Sequence, residues 1–260
     1  MSLSFDPNQN YYFFKNKETI PLVFIHGVGL DHQMWEAQIN QLSEFSILTY
    51  DLLGHGKTPL RKEKVTLKDF SYQLIKILDY LKLTKVNLIG FSLGSLIALD
   101  FTLSFKERLN KLILIGTTYK RSKDERSLVL DRFNQAKLNK PISKQALKRW
   151  FSDEYLEKNP ATYDHFMQIL NKNPLDHQNF LKAYELFATH KDDIQSIQKI
   201  MTKTLVMTGS KDEGSTPFMS KELVKDLPNS NYMEIMNGKH LCSIEYADDV
   251  NIKIKNFITN

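Results

Sequence analysis

Six short apolar-rich runs, each followed closely by a glycine or another turn residue, constrain the fold of this chain more than any other feature. Runs of four or five such residues are typical of strands that are buried on both faces, as in a parallel sheet covered by helices. None approaches the 18 apolar residues that a membrane-spanning helix needs. The runs occupy residues 21–25, 46–50, 86–89, 112–115, 205–208 and 232–235.

Helical patterns lie between several of these runs. Thr66 and Asp69 have the spacing of an N-terminal capping box, and apolar residues follow at helical spacing from residue 67 to residue 81. Residues 247–257 carry a second apolar stripe, formed by Val250, Ile254 and Phe257. The alternation of strands and helices predicts the α/β class, with an open, mostly parallel, twisted sheet and helices on both faces.

One long segment breaks this alternation. Residues 117–208 contain no glycine, and from about residue 121 to residue 200 the pattern is helical, with interruptions at Pro141, Pro160 and Pro174. One hypothesis is that the segment is a helical insertion that packs its own small core. The other is that it is a lid over the carboxyl ends of the strands, where open α/β sheets bind ligands. We expect each hypothesis to hold for some residues of the segment. The predicted divisions are a first core part, a helical lid and a second core part, over residues 1–118, 119–200 and 201–260.

Composition excludes several classes of protein. The formal charge of +5 comes from 35 basic and 30 acidic residues, but no run of Lys and Arg exceeds two residues, so we predict no nucleic-acid partner. The N-terminus lacks the basic and apolar regions of a signal peptide. The single cysteine, Cys242, cannot form an intrachain disulfide and fits a reducing compartment. We therefore predict a cytoplasmic protein with no membrane span.

A G-x-S-x-G pentapeptide, residues 90–94, follows the run at 86–89 and precedes a helical pattern at 95–99. A strand, a sharp turn and a helix are the context in which this motif presents a nucleophilic serine. The turn strains the serine backbone and leaves room only for glycine on either side. Ser92 is therefore the predicted nucleophile.

A serine hydroxyl needs a base, and the base needs an acidic partner that orients it. After this type of turn the chain order is serine, acid, histidine. Asp212 follows the run at 205–208 and is the predicted acid, with Glu213 and Asp226 as alternatives. Of the seven histidines, only His240 comes after both Ser92 and Asp212 in the chain, so it is the predicted base.

Residues 26–29, His-Gly-Val-Gly, follow the first run and match the loop that lends a backbone amide to an oxyanion hole. We predict that the N–H groups of Val28 and Leu93 bind the developing oxyanion. His26 is predicted to brace this loop by hydrogen bonding, and His55 to be a loop residue without a catalytic role.

The motifs of common cofactor sites do not occur. The chain has no dinucleotide-binding glycine fingerprint, no phosphate-binding P-loop and no H-E-x-x-H helix. Its histidines and carboxylates lack metal-ligand spacing. We predict no metal and no cofactor, and we interpret Cys242 as a buried structural thiol that could also line the site.

Taken in chain order, these motifs resemble the α/β-hydrolase superfamily over almost the whole sequence. The matching positions are His26-Gly27, Asp51-x-x-Gly54-x-Gly56, Gly90-x-Ser92-x-Gly94, Gly209-x-x-Asp212 and Gly238-x-His240. Within the superfamily, residues 240–245 and 146–151 are similar to the 3-oxoadipate enol-lactonase branch, which is related to small carboxylesterases. Ser95 departs from the pattern, since many members have a second glycine there. The resemblance implies the α/β-hydrolase fold with a helical lid.

The resemblance also implies a function. We expect hydrolysis of a small ester or enol-lactone through an acyl-enzyme on Ser92, with no cofactor. An enol-lactone of this kind carries a free carboxylate, which the guanidinium of Arg149 could bind, and Trp150 beside it is a further substrate-binding candidate. The alternative for Arg149 is a residue that faces solvent. Alternative functions are a general carboxylesterase or methyl esterase, a slowly hydrolysing ligand receptor, and a lyase or carbon–carbon hydrolase.

Overall fold

A computed structural model describes residues 2–138, 143–170 and 174–260, and its centre is one eight-stranded sheet. The strands lie in the order β1-β2-β4-β3-β5-β6-β7-β8. They are β1 (Ser2–Phe5), β2 (Tyr11–Lys15), β3 (Leu22–Ile25), β4 (Ile47–Tyr50), β5 (Val86–Phe91), β6 (Leu109–Ile115), β7 (Thr204–Gly209) and β8 (Ser230–Ile235).

The six predicted strands are confirmed as β3 to β8, and each pairs in parallel with its neighbours in that part of the sheet. The side chains of β3, β4, β5 and β7 are buried throughout, as continuous apolar runs predict. Two further strands, β1 and β2, were not predicted from the sequence; they pair antiparallel with each other, with β1 at the edge of the sheet. An edge strand is covered incompletely, so Leu3 and Phe5 are half exposed and no continuous apolar run marks β1.

Helices connect the parallel strands β3 to β8, and the capping box predicted at Thr66 and Asp69 is present. No helix among the described residues is both long and apolar enough to cross a membrane. The helices are α1 (Glu36–Gln41), α2 (Leu67–Tyr80), α3 (Leu93–Ser104), α4 (Lys123–Lys137), α5 (Ser143–Trp150), α6 (Asp153–Lys158), α7 (Pro160–Leu170), α8 (Pro174–Thr189), α9 (Ile194–Ile197), α10 (Pro217–Asp226), α11 (Cys242–Glu245) and α12 (Ala247–Thr259).

Helices cover both faces of the sheet, as predicted. Because successive side chains of a strand point to opposite faces, each strand contributes to two separate apolar clusters. Val23 and Ile25 of β3 belong to the cluster that contains α2, α3 and α10. Leu22 and Phe24 of the same strand belong to the cluster that contains α12. The sheet is therefore the middle layer of three.

The helices α4 to α9 lie between β6 and β7 and form the helical insertion. Pro160 and Pro174 each begin a helix, where a missing N–H costs nothing, and Pro141 lies outside the described residues. The expectation of a separate small core is wrong. Phe133 and Phe180 of the insertion join one sheet-face cluster, and Phe166 joins the other, because the insertion packs directly onto the layers beneath it.

Candidate active site

Ser92 stands at the turn between β5 and α3, with a backbone φ of 53° and ψ of −115°. Residues other than glycine rarely adopt this conformation, and holding it costs about 1–3 kcal/mol. Only glycine fits at positions 90 and 94, because a Cβ at either position would collide with neighbouring backbone. A Cβ on Gly90 would lie 2.3 Å from the carbonyl oxygen of Gly94, and one on Gly94 would lie 2.3 Å from that of Ile25. The turn therefore has the geometry that the G-x-S-x-G pattern predicts.

Hydrogen bonds to the neighbouring strand stabilise this turn. The Ser92 N–H donates to the carbonyl of Ile115 at 3.0 Å. The Ser95 hydroxyl, at the position that departs from the family pattern, lies 2.7 Å from the carbonyl of Gly90 and 3.2 Å from that of Ile115. Ser95 thus adds two polar contacts to the turn at a buried position.

Asp212 and His240 are brought together at the carboxyl ends of β7 and β8. The Nδ1 atom of His240 lies 2.7 Å from Oδ2 of Asp212. The other oxygen of Asp212 accepts the N–H groups of Gly214 at 2.8 Å and Ser215 at 2.9 Å. Because a carboxylate accepts hydrogen bonds, the proton of a neutral His240 resides on Nδ1, and Nε2 is available as a base.

The ring of His240 packs against the turn that carries Ser92. Its centroid is 4.8 Å from that of Phe91, the residue before Ser92. Two of its ring atoms lie 3.4 Å from the point that a Cβ on Gly116 would occupy, at the end of β6. The elements that carry the three predicted triad residues therefore converge at one edge of the sheet.

The other candidates from the sequence lie in different surroundings. Asp226, at the end of α10, accepts a hydrogen bond from the Tyr119 hydroxyl at 2.9 Å and pairs with Lys120 at 2.6 Å. The carboxylate that contacts His240 is that of Asp212 and not that of the adjacent Glu213. Cys242 is fully buried in an apolar cluster, and burial raises the pKa of its thiol.

The predicted oxyanion donors lie at the start of α3 and in the loop after β3. Leu93 is the first residue of α3, and the amides of a first helical turn have no partner within the helix and lie at its positive end. Val28 is half-buried in the loop after β3. A Cβ on Gly27 would lie 3.3 Å from Cβ of Ser92, so this loop borders the serine. His26 braces the loop as predicted, with Nδ1 2.8 Å from the carbonyl of Gly27.

Arg149 and Trp150 end helix α5 of the helical insertion. Arg149 is partly buried, and one guanidinium nitrogen donates to the carbonyl of Gln145 at 3.1 Å. Burial lowers the pKa of Arg149, and the charge of Glu213, next to Asp212, acts in the opposite direction. Trp150 packs edge-on against Phe166, with ring centroids 6.2 Å apart. Arg149 thus lies close enough to the acid loop for the charge of Glu213 to act on it.

Two further residues, Arg132 and Tyr184, whose charges or dipoles act on Arg149, were not predicted from the sequence. Arg132 of α4 lies near the hydroxyl of Tyr184 on α8, and the charges of Arg132 and Arg149 both act to lower the pKa of that hydroxyl. Burial has the larger effect and raises the pKa of Tyr184. No sequence signal distinguishes these side chains, because helical spacing alone does not tell which face of an insertion helix points toward the site.

Asp31, His32 and Asp51 bring three potential metal-ligand atoms within 4.8 Å of one another, although their spacing in the sequence suggested no metal site. Two of these groups already pair, with Nδ1 of His32 2.7 Å from Oδ1 of Asp51. Burial opposes the charge on each, but the hydrogen bond and the opposite charge outweigh it. The pKa of His32 is therefore raised and that of Asp51 lowered. This arrangement is an ion pair beside the loop at 26–29.

Known proteins resemble this chain in sequence and in structure. The (E)-2-((N-methylformamido)methylene)succinate hydrolase of Acinetobacter baylyi is 28% identical over 255 residues, which cover 96% of this chain and 94% of the relative. The 3-oxoadipate enol-lactonase 1 of the same organism is 27% identical over 87% of this chain and 84% of its own length.

Among solved structures, the enol-lactonase from Burkholderia xenovorans LB400 superposes with a TM-score of 0.86 at 23% identity, covering 97% of this chain and 98% of that one. This likeness shows that the fold is shared. The family model described as alpha/beta hydrolase fold matches residues 20–246, which include the strands β3 to β8 and the predicted triad. The chain therefore belongs to the α/β-hydrolase fold family.

Proposed function

We propose that this hydrolase of the α/β family cleaves a small carboxylic ester or enol-lactone through Ser92, His240 and Asp212. The observation that carries the proposal is the 2.7 Å contact between His240 Nδ1 and Asp212 Oδ2, beside a strained turn that presents a serine. The A. baylyi relatives support the reaction class, since one is named an enol-lactonase and the other a hydrolase.

In the first half-reaction, Nε2 of His240 takes the proton from the Ser92 hydroxyl while the serine oxygen attacks the substrate carbonyl. Asp212 orients the imidazole and stabilises its charged form. The amides of Val28 and Leu93 bind the oxyanion, and each such donor contributes about 3–4 kcal/mol to transition-state stabilisation. His240 then protonates the departing alkoxide or enolate oxygen, and the acyl-enzyme remains.

In the second half-reaction, His240 removes a proton from water, and the resulting hydroxide attacks the acyl carbonyl. The tetrahedral intermediate collapses, the bond from the carbonyl carbon to Ser92 Oγ breaks, and His240 returns the proton to the serine. The products are a carboxylic acid and an alcohol, or one ring-opened acid from a lactone.

Replacement of the nucleophile tests this proposal. Ser92→Ala should reduce turnover of short-chain p-nitrophenyl esters to background, whereas Ser104→Ala, at an exposed serine on α3, should leave it unchanged. Mass spectrometry should detect an acyl group on Ser92 when the protein is mixed with an ester whose acyl-enzyme intermediate is hydrolysed slowly. Turnover retained in Ser92→Ala would refute the proposed mechanism.

We also propose that the helical insertion acts as a lid over this site and that residues 119–200 form it. Phe180 of α8 supports the proposal, because its ring lies 3.1 Å from the point that a Cβ on Gly29 would occupy, in the loop beside Ser92. Asn179, the preceding residue, lies similarly close to Gly54. Residues 1–118 and 201–260 are the corresponding parts of the core.

We propose that Arg149 binds a free carboxylate of the substrate, with Arg132 and Tyr184 beside it. Both A. baylyi relatives are named for carboxylic acid compounds, a succinate and an oxoadipate. Arg149 and Arg132 are partly buried, and neither forms a salt bridge with a carboxylate among the described residues, so both guanidinium groups can receive an anion. A planar guanidinium matches a carboxylate through two parallel hydrogen bonds.

A comparison of two substrates separates this role from general damage. Arg149→Ala should lower kcat/KM for an anionic lactone or hemisuccinate ester by about 30-fold, corresponding to about 2 kcal/mol. Turnover of a neutral ester should change by less than about threefold. Lys148→Ala, which removes a neighbouring exposed charge, is the matched control. Equal losses on the neutral and anionic substrates would exclude a carboxylate-binding role.

A further inference from the structure

Two buried histidines flank the loop at residues 26–29. The amide of Leu52 donates to Nε2 of His26 at 2.9 Å, so the proton of the neutral ring lies on Nδ1. The Nδ1–H group of His26 donates to the carbonyl oxygen of Gly27, with 2.8 Å between the nitrogen and the oxygen. His26 is fully buried, and burial, the largest effect on this ring, lowers its pKa. The neutral form that these two hydrogen bonds need is therefore the form that the interior favours.

His55 contacts the same loop from the other direction. The amide of Gly29 donates to Nε2 of His55 at 3.0 Å, and Nδ1 of His55 lies 3.1 Å from the carbonyl of Leu53. The ring centroids of His55 and His26 are 5.2 Å apart in an edge-on arrangement. Both rings thus have Nε2 as an acceptor for an amide and Nδ1 next to a carbonyl oxygen.

These contacts determine where the Val28 amide points. The Gly27 carbonyl and the Val28 N–H belong to one trans peptide unit and point in opposite directions. A hydrogen bond that holds the carbonyl toward His26 therefore directs the Val28 N–H away from it. The next peptide unit contains the Gly29 N–H, which His55 holds. Val28 is the residue between two peptide units that are each restrained by a histidine.

His55 sits on a turn that is itself well supported. Its own amide donates to the carbonyl of Leu52 at 2.9 Å, and the Lys57 amide donates to Oδ2 of Asp51 at 2.8 Å. A Cβ on Gly56 would lie only 2.1 Å from that oxygen, and φ at Gly56 is +52°, so the close approach requires glycine. These contacts fix the backbone on either side of His55, next to the loop that its ring contacts.

We propose that His55 is a positioning residue for the oxyanion hole, and that its hydrogen bond to the Gly29 amide keeps the Val28 N–H aimed at the reacting carbonyl. This inference rests on the proposed function, because it assigns Val28 to the oxyanion. The oxyanion forms only as the carbonyl is attacked, so His55 contributes to the transition state and little to substrate binding. The sequence predicts His55 to be a loop residue without a catalytic role, and the role proposed for it acts through the Gly29 amide.

Steady-state kinetics of two variants test the proposal. His55→Ala removes the acceptor and should lower kcat by about tenfold to hundredfold, with KM within about threefold, because a misplaced donor weakens mainly the transition state. His55→Gln places an amide oxygen near the position of Nε2 and should recover most of this loss. His190→Gln, in a loop after α8, is the matched control and should behave as the unmodified protein.

A second measurement is independent of turnover. The Gly29 amide should exchange its hydrogen with solvent at least about tenfold faster in His55→Ala than in the unmodified protein, and close to the normal rate in His55→Gln. A normal kcat in His55→Ala, or a loss that appears in KM alone, would overturn the proposal while leaving the triad intact. Unchanged Gly29 exchange would overturn it as well. Ester turnover that survives Ser92→Ala would refute the proposed function itself, and the inference with it.

Discussion

At the scale of single residues, the site depends on a conformation that the surrounding chain enforces. Ser92 has a positive φ, and the two neighbouring glycines allow backbone from β3 and α3 to approach within the space of a missing Cβ. Asp212 uses both carboxylate oxygens, one for two amides and one for His240. The backbone amides therefore hold this carboxylate in place in addition to its contact with His240.

Asp212→Asn tests the role of this carboxylate. An amide side chain can donate to Nδ1 of His240 and favour the tautomer with the proton on Nε2, which then faces the serine as a donor. We expect kcat for ester hydrolysis to fall by about 10³- to 10⁴-fold with little change in the melting temperature. Asp226→Asn, at the acid on α10, is the control. A similar loss of kcat in both variants would argue against Asp212 as the orienting acid.

The ion pair of His32 and Asp51 gives stability a defined pH dependence. Because the pKa of His32 is raised in the folded protein, His32 contributes to folding stability at pH values below its unfolded pKa of about 6.5. This contribution is lost as the pH rises through the folded pKa. Because the pKa of Asp51 is lowered in the folded protein, Asp51 contributes to folding stability at pH values above its unfolded pKa of about 3.9. This contribution is lost as the pH falls through the folded pKa. Both groups are charged between these limits.

We therefore expect His32→Gln to cost about 1.5 kcal/mol in free energy of unfolding near pH 5.5, and clearly less near pH 8.5. Urea unfolding at the two pH values measures this difference. His177→Gln is the control, because its ring contacts the Ala136 carbonyl at 3.0 Å and not a carboxylate. An equal cost at both pH values would show that the ion pair does not contribute through its charge.

At the scale of elements, the helical insertion is attached to the loop that carries His240. The carbonyl of Trp150, at the end of α5, accepts the amide of Leu241 at 3.0 Å. Ser152, before α6, donates through its amide to Glu245 of α11 at 3.1 Å and through its hydroxyl at 2.5 Å. The part of the insertion that carries Arg149 is thus joined to the segment that follows the predicted base.

Glu245→Ala should weaken this attachment. We expect a loss of about 1–3 kcal/mol in stability, which corresponds to a melting temperature lower by about 3–8 °C in a chain of this size. KM for an anionic substrate should rise, because Arg149 is no longer held next to the acid loop. Glu157→Ala, at an exposed acid on α6, should change neither quantity. Identical behaviour of the two variants would refute the attachment.

At the scale of the whole molecule, the net charge bears on the proposed carboxylate substrate. The 35 basic and 30 acidic residues leave +5, and partly buried guanidinium groups lie in the helical insertion. A positive field increases the rate at which an anion reaches the site, and salt screens it. The excess of lysine is thus compatible with attraction of a small acid, as well as with a solvated surface.

The salt dependence of kcat/KM tests this attraction. Between about 10 mM and 300 mM salt, kcat/KM for an anionic ester should fall by about threefold to tenfold, while that for a neutral ester of the same leaving group stays nearly constant. Arg149→Ala should show a smaller fall with the anionic ester. A salt effect of the same size on both esters would exclude electrostatic attraction of the substrate.

Much of this architecture could be predicted because its signals are local. Continuous apolar runs identified β3 to β8, a capping box identified the start of α2, and the G-x-S-x-G turn identified Ser92. The antiparallel strands β1 and β2 were missed: β1 lies at the edge with Leu3 and Phe5 half exposed, and β2 ends in a buried lysine, Lys15, and is not followed by a glycine. The insertion was predicted to be helical, but the division of its apolar residues between the two sheet-face clusters was not.

The sequence by itself determined the strands β3 to β8, the family, and the candidates Ser92, Asp212 and His240, because these follow from short local motifs and from the order of those motifs along the chain. Only the tertiary structure decided which distant groups meet. His55 reaches the Gly29 amide across 26 positions, and Arg132 reaches Tyr184 from another helix. Such contacts depend on how helices and loops pack and rotate against the sheet, and the spacing of residues along one element does not specify that rotation.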